Sequence, residues 1–226
     1  LLILFGDHGE SLTEHDIYWD HCGLYDTTVR VPLIMRWPGY MPKGKRVKGL
    51  VQQVDIMPTI IEAIQRHNQK HIISPSLPIG ADGKSLWPSI LGQEAGTTDK
   101  IYLSECAWQA ARGIRTERYK FIRTMDSGPF RRPPRELYDL YTDPEETINL
   151  VEDQKSLANQ FEEELDAWIT QLLQGDNDPM IEQLTKEGLP FTKRIEAVLE
   201  KVGLTWEEWS NNPSREKYHQ LIETLA

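Results

Sequence analysis

The feature that most constrains this fold is the opening stretch LLILFGDHG, in which five apolar residues run directly into a polar loop flanked by glycines. Residues 1–5 have the continuous apolar character of a strand buried on both faces, as in the parallel sheets of α/β proteins. In open α/β sheets, ligands bind beyond the carboxyl ends of the strands. The stretch therefore predicts a buried strand followed at once by a functional loop.

The chain divides by pattern into three predicted regions. Residues 1–96 read as the C-terminal part of an α/β core, with a helix over 54–67 that Asp55 caps. Residues 97–150 contain short strands separated by turns, which predict a small antiparallel β subdomain. Residues 151–226 form a helical segment, in which Val151 precedes an apolar stripe and further helices follow around 194–202 and 206–225. Because chains rarely begin inside a buried strand, we expect this one to be the C-terminal part of a longer polypeptide.

Composition excludes some classes of function. The formal net charge of −10 argues against extended nucleic-acid binding, which needs a basic face. No stretch approaches the roughly 18–20 apolar residues of a membrane helix. Cys22 and Cys106 form neither a disulfide framework nor a CxxC pair, so the sequence is compatible with an exported or a cytoplasmic protein.

Asp7 and His8 are the first residues along the chain that could bind a metal ion. A carboxylate beside an imidazole supplies one oxygen and one nitrogen ligand, which suits calcium, magnesium, manganese or zinc according to the other ligands. Gly6 and Gly9 let the backbone turn sharply around this pair. Taken alone, so short a motif favours a solvated polar loop over a metal site.

A series of motifs in a fixed order resembles the sulfatases, members of the alkaline phosphatase superfamily. The matching blocks are Asp7-His8-Gly9, Glu14-His15, His21 with Tyr25, residues 29–34 (VRVPLI), Trp37-Pro38-Gly39, residues 54–60 (VDIMPTI), residues 83–92 (GKSLWPSILG) and residues 135–151 (RELYDLYTDPEETINLV). The resemblance covers residues 1 to about 170. It implies an α/β fold: the C-terminal part of an alkaline-phosphatase-like sandwich with a mixed, mostly parallel sheet, plus the small antiparallel subdomain and the helical tail.

The resemblance also implies a site. Sulfatases hydrolyse sulfate esters with a formylglycine nucleophile and a divalent metal, usually calcium, of which Asp7 and His8 would be ligands; manganese, magnesium or zinc are alternatives. His21 stands where many members have a lysine that contacts the sulfate, so it would bind the substrate or protonate the departing alcohol. His15 would either point toward the substrate or order the loop. The expected partners are a sulfated small molecule or glycan and the missing N-terminal half of the same protein.

Neither Cys22 nor Cys106 fits the family's formylglycine segment, which in its cysteine form reads Cys-x-Pro/Ala-x-Arg. The remaining metal ligands of the family also belong to the N-terminal half. We therefore expect this chain alone to be inactive. Two other functions remain open: a phosphodiesterase or phosphonate monoester hydrolase of the same superfamily, and a non-catalytic binding protein on this fold.

Arginines in the predicted β subdomain have two possible uses. Arg112, Arg115 and the cluster RRPPRE at 131–136 could contact an anionic substrate. Because exposed charge is the usual state of such residues, we expect exposed strand charges and a solvated turn.

Overall fold

The computed structural model describes residues 1–17, 20–67, 82–130, 132–201, 203 and 205. The helices and strands are β1 (Leu2–Phe5), α1 (Asp26–Val29), β2 (Leu33–Arg36), α2 (Ile56–His67), α3 (Trp87–Leu91), β3 (Lys100–Cys106), β4 (Ala110–Thr116), β5 (Tyr119–Asp126), β6 (Arg135–Asp139), α4 (Lys155–Leu173), α5 (Pro179–Lys186) and α6 (Pro190–Lys201). They confirm the α/β class.

The chain forms two compact units. Unit 1 comprises Leu1–Phe5, Pro32–Ile101 and Arg115–Glu117, and unit 2 comprises Gly6–Val31, Tyr102–Ile114 and Arg118–Ala226. Unit 2 therefore contains the loop that follows β1 as well as most of the predicted β subdomain. The three regions with boundaries at 96 and 150 remain a prediction of domain organisation.

In unit 1, β1 and β2 form a two-stranded antiparallel sheet with Leu2 opposite Arg36 and Phe5 opposite Leu33. The strand expected from the apolar run is present, but its neighbour among the described residues runs antiparallel. Its side chains are also more exposed than a strand buried on both faces requires, since Leu4 is 54% exposed. An apolar run favours a strand without specifying the direction of its partner or the elements that cover it.

The core of unit 1 lies between α2, α3 and β2. Buried Ala63, Leu86, Trp87 and Ile90 pack with partly buried side chains from β2 and from the segment that follows it, namely Leu33, Met35, Trp37, Met41 and Val51. The predicted helix over 54–67 is confirmed as a 3-10 turn followed by α2. Asp55, which is 1% exposed, accepts hydrogen bonds from the amides of Gln52 and Lys84 and from the Thr97 hydroxyl.

In unit 2, the predicted antiparallel sheet is confirmed, with strand order β3-β4-β5-β6. Tyr119 pairs with Asp139 and Arg123 with Arg135 across β5 and β6. α4 packs its apolar stripe on this sheet through Ala158, Phe161 and Leu165, which contact side chains such as Ile114, Phe121 and Leu137. The sheet and α4 thus share one hydrophobic core.

The helices after α4 are short. α5 begins at Pro179, after Asp178, whose carboxylate accepts a hydrogen bond from the amide of Met180. α6 begins four residues before the predicted start at 194, and the predicted helix over 206–225 lies outside the described residues. None of the helices described reaches the length and apolarity needed to cross a bilayer.

Candidate functional site

The site loop, residues 6–31, follows β1 and is closed on itself by backbone pairing. Ser11 and Asp20 exchange backbone hydrogen bonds of 2.9 and 3.2 Å in an isolated antiparallel bridge. The amide of Gly9 donates to the Thr28 carbonyl at 2.7 Å, and the hydroxyls of Ser11 and Thr27 are 2.9 Å apart. These contacts bring residues that precede Ser11 next to residues that follow Asp20.

The bridge places His8 against His21. Their rings stack with centroids 4.0 Å apart and planes 22° apart. The Glu10 carboxylate lies 3.9 Å from Nδ1 of His21. Potential ligand atoms of His8, Glu10 and His21 all lie within 4.8 Å of one another, and all three residues are exposed. Two imidazoles and a carboxylate so placed can bind a cation or exchange protons with a substrate.

Asp7 and His8 are compatible with a shared divalent cation. The Asp7 carboxylate is 86% exposed, and its Oδ2 lies 3.8 Å from Nε2 of His8. Two metal–ligand bonds of roughly 2.0–2.6 Å can span that separation. Nδ1 of His8 lies 2.8 Å from the carbonyl of Gly9, which can only accept, so the neutral ring presents Nε2 to a cation.

Local hydrogen bonds also shift the pKa values of this pair. The backbone amide of His8 donates to Asp7 Oδ1 and holds the pKa of the Asp7 carboxyl below its usual value. The Gly9 carbonyl raises the pKa of His8 by stabilising its protonated form. A cation at Nε2 would therefore compete with a proton.

Asp20 and Glu105 lie behind His21. Asp20, 9% exposed, accepts the amide of His21 at 2.7 Å, and its carboxylate also approaches Nδ1 at 3.8 Å. Glu105 of β3 accepts the amide of Gly23 at 2.8 Å. Burial raises the pKa of Glu105 to about 6. The backbone on both sides of His21 is therefore held by carboxylates.

His15 is oriented by aromatic packing. Its ring stacks on the Tyr25 ring with centroids 3.6 Å apart. The Arg132 guanidinium also lies over the Tyr25 ring, 5.2 Å from its centroid. Arg132 also donates to the carbonyl of His15. Burial, then the charge of Arg132, lowers the pKa of His15 to about 4, so the ring is neutral near pH 7. Of the two predicted roles, this packing favours ordering of the loop.

Two buried polar groups attach the site loop to the sheet of unit 2. The Tyr25 hydroxyl donates to Glu136 of β6 at 2.8 Å. Lys120 of β5 is fully buried and lies 2.6 Å from Asp26 and 2.7 Å from Glu146. The loop thus rests on side chains from strands that are distant in sequence.

The structure therefore brings together His8 and His21, with Asp7 beside His8, whereas His15 packs on Tyr25. Sequence reasoning overlooked Asp20, although Asp20-His21 repeats the acid–imidazole pairing of Asp7-His8. Nothing in the sequence pointed to Glu105, because it is far along the sequence from the site loop that it contacts.

The expectation for Arg112 was wrong, and that for the turn was right only in part, since Pro133 and Pro134 are exposed but Arg132 and Arg135 are half-buried. Arg112 is 7% exposed and binds both carboxylate oxygens of Asp178 at 2.5 and 2.6 Å, so it is no exposed strand charge. Arg132 contacts Tyr25 and His15, and Arg135 binds Asn159 and Glu162, so the turn is tied into the protein. Each arginine meets its partner only after the chain folds, which is why the local sequence did not indicate burial.

Comparisons with known proteins place the chain in a family. The family model described as N-sulphoglucosamine sulphohydrolase, C-terminal, matches residues 13–173. The Delta 4,5-hexuronate-2-O-sulfatase of Bacteroides thetaiotaomicron is 27% identical over 165 residues, which cover 69% of this chain and 31% of the relative. The chain thus spans about a third of that relative's length.

Two solved structures share the fold. A 2-O GAG sulfatase gives a TM-score of 0.60 at 26% identity and covers 75% of this chain and 36% of that one. The phosphonate monoester hydrolase of Agrobacterium radiobacter gives a TM-score of 0.54 at 25% identity, with 75% and 34% covered. With the family model matching most of its length, the chain belongs to the sulfatase family of the alkaline phosphatase superfamily and carries its C-terminal portion.

Proposed function

We propose that the full-length protein hydrolyses sulfate esters of a sulfated carbohydrate. The observation that carries this proposal is the stack of His8 on His21, 4.0 Å apart, in the loop directly after β1. It brings the residue that we expect to bind the metal against the residue that we expect to contact the sulfate. The substrate class follows from relatives that act on a hexuronate 2-O-sulfate and on GAG.

His21 is the residue that we expect to contact the sulfate. Asp20 and Glu10 lie 3.8 and 3.9 Å from its Nδ1, so this nitrogen faces two carboxylates. With 57% of its side chain exposed, the ring is accessible to a substrate. It can donate to a sulfate oxygen, and when protonated it can pass a proton to the departing alcohol.

Asp7 and His8 are the residues that we expect to hold a divalent cation, with calcium as the first choice. Such a cation, when bound, offsets the negative charge of the sulfate group. We expect the nucleophile to be a formylglycine from the N-terminal half, because neither cysteine of this chain lies in the required motif. Ser127, the first residue of the string SGPFR that matches the serine form of the motif, follows β5 and does not belong to the site loop. This chain alone should therefore show no turnover.

The test uses the full-length protein with an aryl sulfate and a 2-O-sulfated disaccharide. His21→Gln should lower kcat/KM by about 10²–10⁴-fold, since it removes a group that can transfer a proton. Asp7→Asn should raise the calcium concentration that gives half-maximal turnover. His67→Gln, an exposed histidine of unit 1, is the matched control and should keep wild-type rates. Unchanged turnover by the His21 variant would contradict the assignment.

A second candidate is hydrolysis of phosphonate monoesters, which the similarity to the Agrobacterium radiobacter enzyme favours. Both reactions place an anionic tetrahedral group beside a cation, so the loop geometry suits either. Measuring kcat/KM for an aryl sulfate and for an aryl phosphonate with the same leaving group separates them. A higher value for the phosphonate would replace the sulfatase proposal.

A further inference from the structure

Unit 1 carries a concentration of positive charge on an otherwise acidic chain. Residues 27–54 contain no Asp or Glu, and four cations lie within residues 43–48, KGKRVK. By sequence, unit 1 has ten Lys and Arg against six Asp and Glu, a net charge of +4, whereas unit 2 has fifteen against twenty-nine, a net charge of −14. Such asymmetry is typical of a binding surface for polyanions.

The loop that carries these cations, residues 43–48 and here called the basic loop, is held at both ends. Before it, Trp37 packs in the core of unit 1 and accepts the amides of Tyr40 and Met41. After it, Gly49 adopts a φ of +88°, and a β-carbon there would lie 2.8 Å from the backbone of Ala95. The anchored ends limit the conformational entropy that binding must remove.

The cations of the basic loop point to solvent. Residues 43–48 are all exposed. Within the described part of the chain, Lys43, Arg46 and Lys48 have no acidic partner, and the Lys45 ammonium lies over Gly92. Two exposed lysines of unit 2, in contrast, each have an acidic partner: Lys155 lies 2.9 Å from Glu152, and Lys186 lies 3.6 Å from Glu182.

An aromatic surface adjoins the loop. Tyr40 is 47% exposed and packs its ring on Trp37 with centroids 4.5 Å apart. An aromatic ring held in this way offers an apolar face with a polar edge, which suits the mixed apolar and hydroxyl surface of a sugar ring. The neighbouring cations suit sulfate groups on the same chain.

We propose that the basic loop, together with Tyr40, binds a sulfated polysaccharide chain through residues that do not belong to the site loop. The choice of a sulfated glycan over other polyanions rests on the proposed function. Three unpaired cations and one aromatic ring would hold the polysaccharide that carries the sulfate ester to be hydrolysed. Small sulfate esters would not need this surface.

The test compares two triple variants of the full-length protein with the same change in net charge. Lys43→Gln/Arg46→Gln/Lys48→Gln removes the cations of the basic loop, and Lys155→Gln/Lys186→Gln/Lys201→Gln removes exposed cations of unit 2. Binding to a heparin decasaccharide should weaken at least tenfold in the first variant only. For that variant, the slope of log K against the logarithm of the salt concentration should become less steep by roughly 2–3. Tyr40→Ala should weaken heparin binding without changing that slope.

Turnover of an aryl sulfate, measured on the same variants, separates this inference from the proposed function. Unchanged turnover with weakened heparin binding supports the inference. Heparin binding that is equal in the two triple variants overturns it, whatever the turnover. An equal loss of affinity for heparin and for poly-glutamate also overturns it, because the surface would then recognise charge alone. If the wild-type protein binds heparin through the loop but hydrolyses no sulfate ester, only the proposed function fails.

Discussion

The ammonium of Lys120 lies 2.6 Å from the carboxylate of Asp26, although the two residues are 94 positions apart. Glu146 completes the group at 2.7 Å and also accepts the amide of Asp26. Lys120 is fully buried, and the side chains of Asp26 and Glu146 are 11% and 1% exposed. One lysine therefore neutralises two buried carboxylates where the site loop meets the sheet of unit 2.

Replacing Lys120 by Met should destabilise the protein by about 3–5 kcal/mol, because it leaves two buried carboxylates without a cation. Urea unfolding of the full-length protein measures the loss as a lower midpoint. Lys155→Met is the control, since Lys155 is 68% exposed beside Glu152 and should change stability by less than about 0.5 kcal/mol. Equal midpoints for the two variants would contradict the structural role of Lys120.

The sequence predicted what depends on local pattern. The apolar stripe of α4, the strands of the β subdomain and the helix after Asp55 were all predicted, because 3.6- and 2-residue periodicities report which face is buried. The direction of the strand beside β1 was not, since an apolar run is compatible with parallel and antiparallel neighbours. The predicted domain boundaries remain predictions.

Site residues were predicted only where they lie close together in the sequence. Asp7-His8 and His21 belong to motifs, so their proximity in one loop could be expected. Glu105, Glu136 and Lys120 reach the loop from the sheet, and no spacing rule connects residues so far apart. Arg112 shows the same limit, because its burial depends on Asp178, which is 66 residues away.

Gly9→Ala should disrupt the site loop. A β-carbon on Gly9 would overlap the carbonyl oxygen of Thr27, and the backbone there cannot move without breaking the Gly9–Thr28 hydrogen bond. We expect a loss of about 1–3 kcal/mol in stability and at least tenfold in aryl sulfate turnover. Gly6→Ala is the matched control, because its β-carbon would lie 3.3 Å from its nearest neighbours. Wild-type turnover by the Gly9 variant would refute this close contact.

A double-mutant cycle on Arg112→Met and Asp178→Asn should give a coupling energy of about 1–3 kcal/mol. The pair is bidentate and its side chains are 8% and 15% exposed, so the charges are poorly screened. Asn at 178 can still cap α5, so the cycle isolates the ion pair from the cap. Chemical denaturation of the four proteins provides the free energies. Strictly additive losses would mean that the pair contributes nothing beyond its separate side chains.

Cys106 should react with iodoacetamide before Cys22 in the native protein. Cys22 is 4% exposed, Cys106 is only partly buried, and burial raises the pKa of both thiols. Because the thiolate is the reacting form, both should label slowly, and Cys22 should label at a comparable rate only after unfolding in urea. Peptide mass spectrometry over time distinguishes the two sites. Rapid labelling of native Cys22 would show that the site loop opens readily.

Stability should fall between about pH 4.5 and about pH 6 through Glu105. Burial raises its pKa from the ordinary value of 4.5 to about 6 in the folded protein. The folded state therefore keeps the proton to higher pH than the unfolded state, so stability is lost as pH rises through this range, by about 2 kcal/mol. Glu105→Gln can still accept from Gly23 and should abolish this component of the pH profile, whereas the exposed control Glu94→Gln should retain it. Urea midpoints at pH 4.5, 5, 5.5 and 6 provide the comparison. If the Glu105 variant and the wild type lose stability in parallel over this range, the titration of Glu105 is not the cause of the loss.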